Sequence, residues 1–185
     1  MGLPVVRLDG FGDASTINPE TLVGVTGVDD IQPRPVTVLD PAGYRDEAVA
    51  ALASQGIDDP AAKPRRVVRT DLDGDGSDEV LMQVERVADH GTLLPEAGDY
   101  SAVFLRQVVG GEVRTYPVEQ FVADVSGEGF GYILVFDVVA IADLNGDGRM
   151  EVVIDQRYYE GSGTVAYELG QPGSLTQVIG VGCGS

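Results

Sequence analysis

Two nine-residue stretches hold the chain's densest set of metal-ligating side chains. The first is Asp71-Leu72-Asp73-Gly74-Asp75-Gly76-Ser77-Asp78-Glu79. The second is Asp143-Leu144-Asn145-Gly146-Asp147-Gly148-Arg149-Met150-Glu151. Laid one on the other, they put oxygen donors at positions 1, 3, 5 and 9. These are Asp71, Asp73, Asp75 and Glu79 in one loop, and Asp143, Asn145, Asp147 and Glu151 in the other. Position 6 is glycine in both, Gly76 and Gly148. A hard cation such as Ca²⁺ takes six to eight oxygens, and a tightly curled acidic loop supplies most of them. Glycine at position 6 accepts φ > 0, so the backbone can turn sharply and the odd-numbered side chains converge. One such loop is weak grounds for a metal; two in register are much stronger.

The elements that must hold these loops are short and β-branched. Val67-Val68-Arg69-Thr70 and Val138-Val139-Ala140-Ile141 precede them; Val80-Leu81-Met82-Gln83-Val84 and Val152-Val153-Ile154 follow. Such runs read as strands. The helix–loop–helix calcium site is excluded twice. Its flanks are helices, and it closes with a glutamate at position 12, where this chain has Met82 and Ile154. The unit is therefore strand, acidic loop, strand.

That unit resembles the FG-GAP/VCBS repeat, the calcium-loop repeat of integrin-type β-propellers and of many bacterial surface proteins. Its pattern, D-x-[DN]-x-D-G-x-x-[DE] between two apolar strands, is met in full at 71–79 and at 143–151. The resemblance covers the two loops and the adjacent strands. It implies two Ca²⁺ sites, held by the eight side chains named above and by the backbone carbonyls of Ser77 and Arg149 at position 7. It also implies a binding or adhesion module. Phe11-Gly12 and Phe130-Gly131 lack the Gly-Ala-Pro segment that completes the family signature.

The rest of the chain falls into three stretches. Residues 1–64 hold weak strands at 4–8, 22–28 and 35–39, a polar loop from Asp9 to Pro19, one helix over 40–56, and a Pro/Asp/Ala linker over 57–64. Asp40 suits the helix N-cap, Pro41 the first helical position, and Gly56 the stop. Tyr44, Ala48, Ala51 and Leu52 share one face, which packs on a sheet. Residues 65–131 form the first calcium-loop unit, with strands at 66–71, 79–87, 101–108 and 112–118 and a Gly110-Gly111 hairpin. Residues 132–185 form the second, with strands at 132–142, 151–159, 164–169 and 175–181, a hairpin at Gly161-Ser162-Gly163 and a turn at Gln171-Pro172-Gly173-Ser174. The run 132–142 is apolar on both faces and reads as a central strand. Two units cannot close a propeller, which needs at least four blades. The expected fold is mainly β with one short helix. Two blade-like four-stranded antiparallel sheets pack together, as an incomplete propeller or sandwich, and the N-terminal stretch covers one side.

Composition narrows the partners. A formal net charge of −18 argues against nucleic acid and anionic membranes. No apolar run reaches the length of a membrane helix. The single cysteine, Cys183, permits no internal disulfide and is expected as a part-buried thiol. Calcium loops of moderate affinity stay loaded where calcium is near millimolar. The chain is therefore expected outside the cell, in the periplasm or at the cell surface, with its export signal removed.

Catalytic signals are weak. His90 is the only histidine, in a loop-like stretch, and no serine or cysteine is tied to it by a motif. Zinc needs more His or Cys ligands than the chain has. Gly127-Glu128-Gly129-Phe130-Gly131 lacks a lysine and leads into a strand, unlike a phosphate loop. Tyr158-Tyr159 offers an aromatic edge, with one ring expected in the core and the other in solvent. The expected function is a non-catalytic calcium-binding module for an unidentified protein or carbohydrate ligand. The alternative is an accessory domain of a secreted hydrolase, which would need a cleft with paired carboxylates.

Overall fold

The β-branched runs on either side of each acidic loop pair as antiparallel strands, and the rest of each sheet is added by hairpins. The computed structural model of the chain describes residues 30–87, 95–123 and 132–184. The first sheet is β1 (Thr37–Leu39), β2 (Pro64–Thr70), β3 (Glu79–Arg86), β4 (Tyr100–Val109) and β5 (Glu112–Val122), in that spatial order. The second is β6 (Val135–Ala142), β7 (Glu151–Tyr158), β8 (Gly161–Leu169) and β9 (Leu175–Gly184), also in chain order. Each sheet thus contains a four-strand meander with its acidic loop between the first and second strands. The irregularities correspond as well. An extra residue bulges from the first strand of each meander, Arg65 and Val139, and from the fourth, Val118 and Val178.

Alternating side chains give the first sheet two buried faces. Val67, Met82, Val84, Tyr100, Ala102 and Phe104 pack under the helix α1 (Arg45–Ser54), against Ala48, Ala51 and Leu52. Val68, Leu81, Val103 and Leu105 face the other way, onto Phe136, Val138, Ile141, Val152 and Ile154 of the second sheet. The order of layers is helix, sheet, sheet. The mainly β architecture with two antiparallel sheets and one short helix is as expected.

Several details differ from the sequence reading. The first sheet has five strands, because β1 pairs with β2 instead of lying over the sheets. Residues 41–44 form a 3-10 turn, capped by Asp40 through the Ala42 N–H, before α1 begins. The helix does stop at Gly56 (φ +80), where Gly56 and Ile57 donate to Ala53 and Leu52. The 57–64 stretch is tied into the body. Ile57 and Ala62 are buried, and Asp59 accepts from Tyr100 Oη at 2.8 Å and from Arg86 at 3.0 Å.

The strand expected over 132–142 begins at Val135, and it is an edge strand, not a central one. Among the described residues β6 pairs only with β7, and its other edge meets the face of the first sheet. There Phe136 N–H donates to Ser101 Oγ at 3.1 Å and Val138 N–H to Gln83 Oε1 at 3.3 Å. Its apolar character on both sides reflects that seat. The β7–β8 turn is at Tyr159-Glu160, and Gly161–Gly163 lie within β8. Cys183 is exposed. The strands expected at 4–8 and 22–28, the Asp9–Pro19 loop, Phe11-Gly12, His90 and the Gly127–Gly131 turn fall outside the described residues.

Candidate metal centre

Each acidic loop is a chain of side chains accepting from their own backbone. In the first, Asp71 Oδ1 accepts from Gly74 N–H at 2.7 Å and its Oδ2 from Gly76 N–H at 3.1 Å. In the second, Asp143 accepts from Gly146 at 2.6 Å and Gly148 at 2.8 Å through the same two oxygens. Position 3 then accepts from position 5, Asp73 from Asp75 at 3.2 Å and Asn145 from Asp147 at 2.9 Å. Position 5 accepts from position 7, Asp75 from Ser77 at 2.7 Å and Asp147 from Arg149 at 2.8 Å. The glycines at positions 4 and 6 have φ of +81 and +87 in one loop, +81 and +86 in the other. The turn needs glycine at position 4 as well as at position 6, and the sequence carries it in both loops as Gly74 and Gly146.

Position 9 closes both loops. Glu79 begins β3 and Glu151 begins β7. Each reaches back to accept the N–H of position 2, Leu72 at 2.9 Å and Leu144 at 2.6 Å. Both carboxylates are buried, 2% and 0% exposed. Burial, followed by the charges of Asp73 and Asp75, pushes the Glu79 carboxyl up to about 7. Burial raises Glu151 as well, with Asp147 and Asp143 adding to the effect. The free oxygens differ. Glu79 Oε1 has only a long contact from Gln107 Nε2, at 3.4 Å, and Glu151 Oε1 has no hydrogen-bond partner. A buried carboxylate oxygen in that state is costly unless a proton or a cation meets it.

The donors fit a hard cation unequally in the two loops. Oxygens of Asp71, Asp73 and Glu79 lie within 4.8 Å of one another, and Asp75 is outside that trio. Among the described residues no second trio of acidic, imidazole or thiol groups converges so closely. In the second loop position 3 is the amide of Asn145, whose Nδ2 donates to Asp147 Oδ2 at 3.2 Å. Ser77 and Arg149 contribute their N–H groups to the ladder. The Arg149 guanidinium leaves the loop for the Leu169 carbonyl and Glu168.

The second-layer partners had no signal in the sequence. Arg34 donates to the carbonyls of Asp71 and Leu72 and stands 3.8 Å from Asp71 Oδ2. Three residues earlier, Ile31 O accepts from Asp143 N–H at 2.8 Å. The 31–34 segment thus straps both loops, and the loops also meet directly through Met150 N–H and Leu72 O, 2.8 Å apart. No protein-family model, curated protein or solved structure matches this chain. No helix among the described residues is long and apolar enough to cross a membrane.

Proposed function

We propose that the protein is a non-catalytic calcium-binding module that works outside the cell, in binding or adhesion. Two Ca²⁺ ions would be held by Asp71, Asp73, Asp75 and Glu79 with the Ser77 carbonyl, and by Asp143, Asn145, Asp147 and Glu151 with the Arg149 carbonyl. The observation that carries this reading is the buried glutamate at position 9 of each loop, above all Glu151 Oε1, wholly enclosed and without a hydrogen-bond partner. A divalent ion supplies the charge that such an oxygen lacks and fastens the strands before and after the loop. The trio of Asp71, Asp73 and Glu79 favours the same reading, as does the resemblance to FG-GAP/VCBS loops. A net charge of −18 and near-millimolar external calcium both favour loading.

Calorimetric titration of the metal-stripped chain tests this. Two calcium equivalents should bind, magnesium should bind poorly because it prefers a small, water-rich octahedron, and chelator should lower the melting temperature. A chain whose melting temperature and loop protease sensitivity are the same in calcium and in chelator has no structural calcium.

A further inference from the structure

At the end of the second sheet far from the acidic loops, the side facing β5 opens into a cleft of about 420 Å³. Three positions of β8 and β9 that line it are glycine. Gly163 pairs with Gly182, and Gly180 pairs with Val165. Glycine inside a strand weakens it, and often marks a place where another molecule approaches the backbone closely. Over these glycines stand chemically varied walls. Glu119 reaches in from β5 and is held by Gln156 Nε2 at 2.9 Å and by the Tyr167 hydroxyl, both on Oε1. Gln177 lays its amide nitrogen over Gly180, 2.5 Å from where a Cβ would be. Tyr158, at the exposed end of β7, lines the mouth and is 41% exposed. Next to it Tyr159 stacks on Tyr132 with centroids 5.2 Å apart, and both rings are about half exposed, 48% and 47%.

We infer that this cleft binds a neutral saccharide, with the Tyr158 ring under a sugar face and Glu119 and Gln177 on its hydroxyls. The inference rests on reading the chain as a binding module and gives that module's ligand a place and a class. The lining holds no Lys, Arg or His, and Glu119 with the −18 net charge repels anions. An ammonium ligand would suit Glu119 and the rings, but it has no acceptor for the Gln177 amide donor. Sugar hydroxyls both donate and accept, so they match a wall that mixes carboxylate, amide and phenol groups. The site is an open depression, so it takes a ligand by one face, and its few polar groups converge on that face.

The test is calorimetry of the full chain, in calcium, against cellohexaose, xylohexaose, mannohexaose and chitohexaose, with choline as the cationic probe. At least one oligosaccharide should bind at or below millimolar concentration. Tyr158→Ala and Gln177→Ala should each weaken it by about tenfold or more, and Tyr158→Phe should retain it, with melting temperatures unchanged. No binding by any of the four, binding of choline alone, or sugar binding unmoved by both alanine variants would overturn the inference. Calcium titration of the same samples separates it from the function proposed above. Sugar bound by a chain that takes up no calcium sinks only the calcium reading. Calcium bound without sugar sinks only this one.

Discussion

The backbone N–H of Met150 donates to the carbonyl of Leu72 at 2.8 Å, so position 8 of the second acidic loop is hydrogen-bonded to position 2 of the first. Both side chains are buried in the core shared by the two sheets. Neither loop can change its path without moving the other. Leu72 N–H is also the group that Glu79 holds, so this one residue links the closing carboxylate of one loop to the backbone of the next.

Calcium binding to the two loops should therefore be cooperative. Asp147→Ala, which damages only the second loop, is expected to weaken the remaining site as well, by roughly 5-fold or more. Calorimetry on Asp147→Ala and Asp75→Ala reads this directly. Met150→Ala removes the side chain beneath the junction and should cost about 2–5 kcal/mol in urea unfolding. If the site left in each variant keeps its wild-type affinity, the loops act independently.

The buried Glu79 carboxyl gives the metal-free chain an unusual pH dependence. Its folded value is raised to about 7 from an ordinary 4.5, chiefly by burial. The folded chain holds that proton more tightly than the unfolded chain does. The stabilising contribution is complete below about 4.5 and is lost as pH rises through about 7. In chelator, this group should make the melting temperature fall across that window. Glu79→Gln keeps an oxygen for Leu72 N–H and carries no charge, so it should flatten the profile and raise metal-free stability at pH 8. In saturating calcium the wild-type trend should reverse, because only the carboxylate coordinates. Melting curves of both proteins, with and without chelator, check each sign.

Much of this site could be read from local sequence, because its physics is local. The ladder in each loop links residues two to seven apart, and glycine marks the turns that permit it. Strand positions followed from β-branched runs and the helix stop from Gly56, whereas Asp40 caps the 3-10 turn ahead of α1. What could not be read depends on distant chain. Arg34 reaches the first loop across 37 residues of sequence, and no motif sets its target. The apolar run of β6 suggested a central strand, because burial by another sheet's face and burial by flanking strands leave the same composition. The glycines at 161–163 suggested a turn, yet the turn is Tyr159-Glu160 and Gly161 begins β8, paired with Tyr158. The Tyr158 ring lies where a side chain at position 161 would be, and a glycine that makes room for a ring looks like a hairpin tip in sequence.

The first loop should depend on calcium for its order more than the second. It holds five carboxylates, Asp71, Asp73, Asp75, Asp78 and Glu79, in nine residues. Their mutual repulsion is on the order of 1 kcal/mol per close pair even in high dielectric. The second loop replaces one of these with Asn145, and its Met150 is buried where the first loop exposes Asp78. Two arginines moderate the difference: Arg34 lies near Asp71, and Arg69 pairs with Asp78 at 3.1 Å. The expected outcome of limited proteolysis in chelator is earlier cleavage within 71–79 than within 143–151. Arg34→Ala should accelerate it further. Equal cleavage of the two loops would show that the arginines cancel the excess charge.

β6 turns its unpaired edge toward the first sheet, and an exposed edge would otherwise recruit a foreign strand. Ser101, fully buried, meets the N–H of Phe136, and Gln83, nearly so, meets that of Val138. Gln83 also donates to Asp137 Oδ1 at 2.8 Å, so its amide is used at both ends. Ser101→Ala leaves a buried N–H without a partner and should cost about 1–3 kcal/mol, although it removes a single oxygen. Gln83→Leu orphans Val138 N–H and one interaction of Asp137, and should cost at least as much. Leucine is apolar and close in volume, so a hydrophobic account of this interface predicts a neutral or stabilising change. Urea unfolding of Gln83→Leu therefore separates the two accounts. A loss of stability assigns the sheet-to-sheet junction to satisfied backbone polarity, and a gain assigns it to apolar burial.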